Sequence, residues 1–147
     1  MVVHEAARLT MQAQNLRDVV VGLGEVEFKE LFGFNDGSVG VFWAASGMSP
    51  WERHPSDEEL LYVIEGRVSI EVLTDAGGVE VPVAEGSAFV VPRNRWHRHK
   101  HDGLVREMYV TPGPSVLSFV EDPACHRRAE GHARMNGGCA APKRGGR

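Results

Sequence analysis

The sequence predicts an all-β domain of the barrel or jelly-roll type, and three observations support this prediction. Short apolar runs recur along most of the chain, and in several of them apolar and polar residues alternate, as in half-buried strands. Clusters of Gly, Pro, Asn and Asp separate these runs at regular intervals, which is typical of sandwiches and barrels. The sequence lacks the long amphipathic helices that a parallel α/β sheet requires.

Three segments follow one another along the chain. Residues 1–24 are a mixed lead-in, which we interpret as an arm able to pair with a partner subunit; residues 6–16 within it allow a short helix. Residues 25–122 form the predicted barrel, and Pro82 places one of its strands at a sheet edge or a bulge. The predicted strands of this barrel, in order, are 25–34, 39–45, 60–64, 68–72, 79–83, 89–91, 105–111 and 116–120.

The last segment, residues 123–147, differs in composition from the rest. Gly, Ala, Arg and Pro dominate it, and large apolar residues are almost absent. Such a segment cannot bury enough surface to offset its ordering entropy, so we expect a flexible, basic tail. A zinc site within this tail is disfavoured because the spacing of its candidate ligands contains no Cys-x2-Cys pair: Cys125, His126, His132 and Cys139.

Charge and hydropathy exclude two classes of partner. Residues 1–122 hold 10 Lys/Arg and 19 Asp/Glu, and this acidic body argues against nucleic-acid binding, which needs clustered Lys and Arg. No apolar run approaches the ~20 residues of a membrane-spanning helix. The first residues also lack the apolar core of a signal peptide. The sequence therefore predicts a cytoplasmic protein that binds neither nucleic acid nor membrane.

Two polar stretches carry the residues that suit a metal ion. Glu52 and His54 are two apart, so an extended strand projects them from the same face. The turn formers at 55–57 allow a second strand to bring Glu59 back towards His54. His97 begins a later strand after another polar turn. Two imidazoles and a carboxylate form a ligand set for a divalent metal that keeps open coordination positions.

These stretches resemble the two signature motifs of the cupin superfamily. The resemblance covers residues 37–112 and implies the cupin double-stranded β-helix, a jelly-roll barrel, with His54, Glu59 and His97 as metal ligands. The residues that carry it are His54-x4-Glu59-x6-Gly66 and Gly86-x5-Pro92-x4-His97.

The chain departs from the cupin motifs at three positions. Glu52 stands where the first histidine is usual, and it is open to three roles: a further ligand, an acceptor that orients a histidine, or a general base. Asn94 replaces the turn glycine, but Asn tolerates the left-handed conformation, so the turn is expected to survive. His101 replaces an asparagine, and we expect it in the pocket as a proton shuttle or weak ligand.

Other candidate site residues rest on weaker patterns. Tyr62 and Tyr109 are candidates to line the cavity, although aromatic packing in the core is the commoner role. His99 is predicted to lie at the rim. Four arginines are candidates to attract an anionic substrate at the barrel mouth, with ordinary solvated charges as the alternative: Arg53, Arg93, Arg95 and Arg98.

The ligand types leave the metal and the reaction open. Two histidines and one carboxylate suit iron(II) for oxygen chemistry and zinc for Lewis-acid or hydroxide chemistry, with manganese and nickel also compatible. Our leading hypothesis is a metal-dependent cupin enzyme acting on a small organic metabolite. The resemblance implies a dioxygenase or a natural-product tailoring enzyme, such as a cyclase, an isomerase or an N–N bond-forming enzyme.

Two alternatives to an enzyme remain at this point. One is a non-catalytic metal-containing cupin that binds a sugar or another small metabolite, and the other is a metal-free structural barrel. The resemblance also implies a homodimer, because cupins of this size resemble dimers that exchange amino-terminal strands. Residues 1–30 are the segment expected to cover open sheet edges of a partner.

Overall fold

The computed structural model describes residues 12–123, so the start of the arm and the tail from residue 124 lie outside the described range. The described chain contains one short helix and eight strands, joined in a single curled sheet. This architecture confirms the predicted all-β jelly roll. The elements are α1 Leu16–Val21, β1 Lys29–Phe34, β2 Gly37–Met48, β3 Trp51–Arg53, β4 Glu59–Thr74, β5 Gly77–Ala84, β6 Ala88–Val91, β7 His97–Thr111 and β8 Val116–Ser118.

Strand β7 is the centre of the sheet. It pairs antiparallel with β2, β3 and β4, and β4 in turn pairs with β5 and β6. Strands β1 and β8 lie at the two ends of the path β1-β2-β7-β3-β8. Strand β5 pairs with β4 alone within the described residues, which agrees with the edge position predicted from Pro82.

Strands β4 and β7 are longer than the sequence predicts. Strand β4 joins the predicted strands 60–64 and 68–72 through Gly66, which has a φ of +82°. The register with β7 shifts on both sides of Gly66, so the ladder bends there without ending. A Cβ at Gly66 would collide with the carbonyl oxygen of Leu104, so the close approach of the two strands requires glycine.

The helix α1 closes the outer side of the sheet. Asn15 caps its N-terminus by accepting hydrogen bonds from the backbone N–H groups of Arg17 and Asp18. Val20 is fully buried and packs with Val41 and Ile64 in a small core cluster. The helix begins at the residue where the predicted one, 6–16, was expected to end. With six residues it is too short to span a bilayer, and the described chain has no longer helix.

The main core lies inside the barrel. It is built almost entirely from aliphatic side chains, which alternate with outward-facing residues along β4 and continue on the strands around it. Its buried members are Ala44, Leu61, Val63, Val68, Ile70, Val72, Val83, Val91 and Val105. Because these residues fill one part of the interior, the polar side chains of the next section are confined to the other part.

Candidate metal centre

Four metal-ligating side chains converge where β3, β4 and β7 meet inside the barrel. One ligand atom from each of them lies within 4.8 Å of all the others, and the four residues are Glu52, His54, Glu59 and His97. The Nε2 atoms of His54 and His97 lie 3.2 Å and 3.0 Å from Oε2 of Glu59. Glu52 is slightly further out, with its oxygens 3.6 Å and 3.9 Å from the same two nitrogens. The structure therefore brings together the three ligands predicted from the sequence and adds Glu52 beside them.

Backbone pairing fixes these positions. Glu52 in β3 is the register partner of His97 at the start of β7. The turn before β7 passes through Asn94, which has a φ of +60°, the left-handed conformation expected for it. The backbone N–H of Asn94 donates to the carbonyl oxygen of His54 at 2.8 Å, and its side-chain oxygen accepts from Arg53. This turn thus ties the segment that carries His54 to the segment that carries His97.

The inner part of this site is withdrawn from solvent. His54, Glu59 and His97 are buried, whereas the Glu52 side chain is 30% exposed. Burial alone would raise the pKa of the Glu59 carboxyl, but its contacts with the two histidines outweigh burial and lower that pKa. Burial lowers the pKa of His54, and the hydrogen bond and charge of Glu59 together with the charge of Glu52 reverse that effect and raise it. The site is therefore an acidic pocket with a strong preference for a positive charge.

The donor set fits a divalent metal ion. His97 Nε2 is buried without a hydrogen-bond partner, although it lies 3.0 Å from Glu59, and its Nδ1 lies 3.5 Å from the carbonyl oxygen of Arg95. An unsatisfied buried nitrogen is costly, and a cation at this point would satisfy it. Two imidazole nitrogens with one or two carboxylate oxygens suit iron(II), zinc, manganese or nickel.

A cavity of about 580 Å³ opens onto this site. Glu52 and Glu59 are the members of the site that line it, and most of its other lining residues are apolar or aromatic. Phe28 and Phe42 stack with ring centroids 4.6 Å apart on its wall. The volume lies within the range of small-molecule sites in proteins. The barrel thus offers a mainly apolar chamber that ends at a polar, metal-ligating group of residues.

The remaining candidate residues divide between the cavity and the outer surface. His101 and Tyr109 line the cavity, as expected. Tyr62 does not line it; its side chain packs on the outer cluster of α1, because its neighbours Leu61 and Val63 take the inward positions of β4. Arg95 also lies elsewhere: it is partly exposed and binds the carboxylate of Asp75 at 2.7 Å.

The four arginines that were candidates to attract an anionic substrate do not line the cavity. None of the described Lys and Arg residues lines the cavity. Arg98 instead points to the outer face, where it binds Glu71 at 2.7 Å and covers the ring of Trp51. Electrostatic attraction of an anionic substrate by these arginines therefore has no support at this cavity.

Two buried polar residues, one on the cavity wall and one beside it, were missed or misplaced by the sequence interpretation. His99 is buried on the cavity wall rather than at the rim, and Glu107, which the sequence interpretation did not consider, is fully buried beside it. The alternation of side chains along β7 could have identified these residues, since every second residue after His97 points to the same inward face. Applied through the whole strand, this rule selects His99, His101, Val105, Glu107 and Tyr109.

A family model and several known proteins match part of this chain. The family model described as "Cupin domain" matches residues 41–111. Nectarin-1 from Nicotiana plumbaginifolia is 31% identical over 78 residues, which is 52% of this chain but 34% of that protein. The chain therefore spans only about a third of the length of the curated relatives that it matches.

Solved structures show the same fold. A cupin-2 domain protein from Shewanella frigidimarina superposes with a TM-score of 0.58 at 19% identity, covering 67% of this chain and 93% of that one. Hydroquinone 1,2-dioxygenase from Sphingomonas sp. TTNP3, with 4-hydroxybenzoate bound, gives 0.55 at 12% identity, covering 67% and 74%. At these identities the likeness concerns the fold alone. Together, the family match and the shared fold identify residues 41–111 as a cupin domain.

Proposed function

We propose that this cupin is a metal-dependent enzyme that acts on a small organic metabolite, as a dioxygenase or a natural-product tailoring enzyme. One observation carries the proposal. A group of four metal-ligating side chains lies at the polar end of a cavity that is large enough for a small molecule: Glu52, His54, Glu59 and His97. A structural barrel has no need for buried imidazoles with unsatisfied nitrogens. Such groups are costly and are found where they bind something.

Each residue of the group has a separate role in this proposal. His54, Glu59 and His97 hold the ion, which supplies Lewis acidity or redox chemistry when bound. Glu52 lies at the boundary between the ion site and the cavity and is partly exposed, so it is placed to exchange a proton with a bound substrate. His101 lies on the same wall but contacts Glu107. Glu52 is therefore the better acid/base candidate near the ion.

The cavity wall defines the kind of substrate. Phe42 and the neighbouring aromatic rings offer flat apolar contact, and no described Lys or Arg is present to bind a strongly anionic group. The polar groups of the chamber are concentrated near the ion site and at the two histidines of β7. These features favour a flat, largely apolar metabolite that presents one or two polar atoms to the ion.

The test begins with metal content and continues with turnover. Protein purified without an affinity tag is analysed for metals, and then incubated with a metabolite panel while oxygen uptake and products are followed. Turnover that is lost in His54→Ala and His97→Ala supports the proposal. Metabolites that shift the melting temperature with no turnover for any metal would instead establish the binding protein. Iron would direct the search to oxygen chemistry, and zinc to hydrolytic, cyclising or isomerising chemistry.

We also propose that the protein acts as a homodimer through its β1 edge. Strand β1 ends the sheet, and apolar side chains on and before it are exposed: Phe28, Phe32 and Phe34. An open apolar edge is prone to pairing with another strand, and a second copy of this chain would cover it symmetrically. Light scattering that reports a monomer at micromolar concentration would contradict this assembly.

A further inference from the structure

A second group of metal-ligating side chains lies on the inner face of β7. The side chains of His99, His101 and Glu107 each offer one ligand atom, and these atoms lie within 4.8 Å of one another. His99 Nδ1 lies 3.2 Å and His101 Nε2 3.6 Å from Oε2 of Glu107. The group shares no residue with the first site, although the rings of His97 and His99 are only 6.2 Å apart.

A bulge in β7 brings these three residues together. Glu107 lies eight positions after His99, and a regular strand would keep two such residues roughly 26 Å apart. Residues 103 and 104 of β7 face the single residue 45 of β2, because Ala44 pairs with Val105 while Ser46 pairs with Asp102; β7 thus has one extra residue here. Gly103, with a φ of +110°, allows the strand to bend sharply at this point. Histidines and carboxylate thus meet from the two arms of one strand.

Two buried polar atoms of this group have no partner. Glu107 is fully buried, and its Oε1 accepts no hydrogen bond; His101 Nε2 is also buried without one. The ion pair with His99 engages only the other carboxylate oxygen of Glu107. A buried carboxylate with one oxygen unsatisfied is strongly disfavoured. A cation placed among the three side chains would satisfy both atoms at once.

We propose that this cupin barrel holds a second divalent metal ion, bound by His99, His101 and Glu107. Two nitrogens and a carboxylate select a first-row transition ion such as zinc, iron(II), manganese or copper over magnesium or calcium, which prefer all-oxygen sites. His99 and His101 line the cavity, so the open positions of this ion face the same chamber as the first site. The inference does not depend on the proposed enzymatic activity, since metal binding is measured without a substrate.

The experiment counts ions in the full-length, untagged chain. Every histidine and cysteine outside the described residues is a potential ligand and is replaced by serine throughout: His4, Cys125, His126, His132 and Cys139. The metal-stripped protein is loaded with zinc, desalted and analysed. Two ions per chain are expected, falling to one in His101→Ala and in Glu107→Gln, and to one in the His54→Ala/His97→Ala double variant. Glu71→Gln is the matched control, because Glu71 faces outward and binds Arg98; it is expected to keep two.

The proposal is overturned if the reference protein binds one ion that the His54→Ala/His97→Ala change removes while His101→Ala retains it. A second measurement avoids reliance on variants that fold poorly. Cadmium-113 NMR of the loaded reference protein is expected to give two resonances in the range of nitrogen and oxygen ligands. A single resonance at saturating cadmium would equally overturn the proposal.

Discussion

The two ligand clusters of this barrel are chemically similar but are assembled differently. The first takes Glu52 from β3, Glu59 from β4, His97 from β7 and His54 from the loop between β3 and β4. The second is built entirely on β7. In both, a buried glutamate stands between two histidines, and its contacts with them hold its pKa below the ordinary value despite burial.

Sequence motifs are informative about the first cluster but not about the second. The first cluster follows from short motifs around turns, in which spacing fixes which side chains return to the same place. The second depends on a bulge that bends one long strand at Gly103, and no family motif links the residues that the bend brings together. Two clusters with similar ligands therefore differ in whether the sequence motifs predict them.

The largest expected effect is the loss of the first site alone. Replacing His54 and His97 by alanine removes two of its nitrogens, so its metal affinity is expected to fall by more than about 100-fold. Any turnover should disappear with it. Isothermal titration with zinc is the measurement, and the second cluster should still bind. Loss of both binding events would show that the clusters act as one unit.

Glu107→Gln is expected to affect the second cluster and to leave the first intact. The change keeps the size of the side chain but removes the charge that faces His99, and we expect the metal-free protein to lose about 1–3 kcal/mol of unfolding free energy. Binding at the first site should be unaffected. Urea unfolding of the stripped protein and zinc titration measure the two effects. Unchanged stability in urea would contradict the role of Glu107 as a buried ionised partner.

The pH dependence of the stripped protein should look the same for both clusters. The pKa of Glu59 is lowered from 4.5, so its contribution to stability is complete above that pH and is lost as the pH falls further. The pKa of His54 is raised from 6.5, so its contribution is complete below 6.5 and is lost as the pH rises through the raised value. His99 and Glu107 shift in the same directions.

Metal-free protein should therefore be most stable between about pH 4.5 and 6.5, measured as melting temperature against pH. Added zinc should move this optimum to higher pH, because metal ions compete with protons for the histidine nitrogens. A melting temperature of stripped protein that climbs steadily above pH 6.5 would contradict both assignments.

The smallest expected effects come from the two backbone positions that shape the clusters. Gly103→Ala forces an L residue to a φ of +110°, and Asn94→Ala leaves a φ of +60° without a residue suited to it. Each should cost about 1–2 kcal/mol of unfolding free energy. Gly103→Ala should weaken mainly the second cluster, and Asn94→Ala mainly the first. Asn94→Gly is the control, since glycine accepts that φ. If each change weakened metal binding at both clusters equally, the assignment of Gly103 to the second cluster and Asn94 to the first would be refuted.

Much of the fold could be predicted because turns and alternation are local signals. The alternation on 68–72 and 79–83, the turn at Asn94 and the edge position of Pro82 all appear in the structure. The continuity of β4 through Gly66 could not be predicted. A glycine after an apolar run reads as a break, and only the approach of Leu104 from β7 shows why the strand continues.

Spacings within short stretches of chain were enough to predict the strand pattern, the family motifs and the residues His54, Glu59 and His97. Long-range packing was needed to show that Tyr62 and Arg95 lie away from the cavity. It also places His99 on the cavity wall and buries Glu107 beside it. Side-chain alternation along a strand shows which face of the sheet a residue occupies, but it does not show what packs against that face. Bulges and the packing of α1 supply that information, and they arise from contacts between distant parts of the chain.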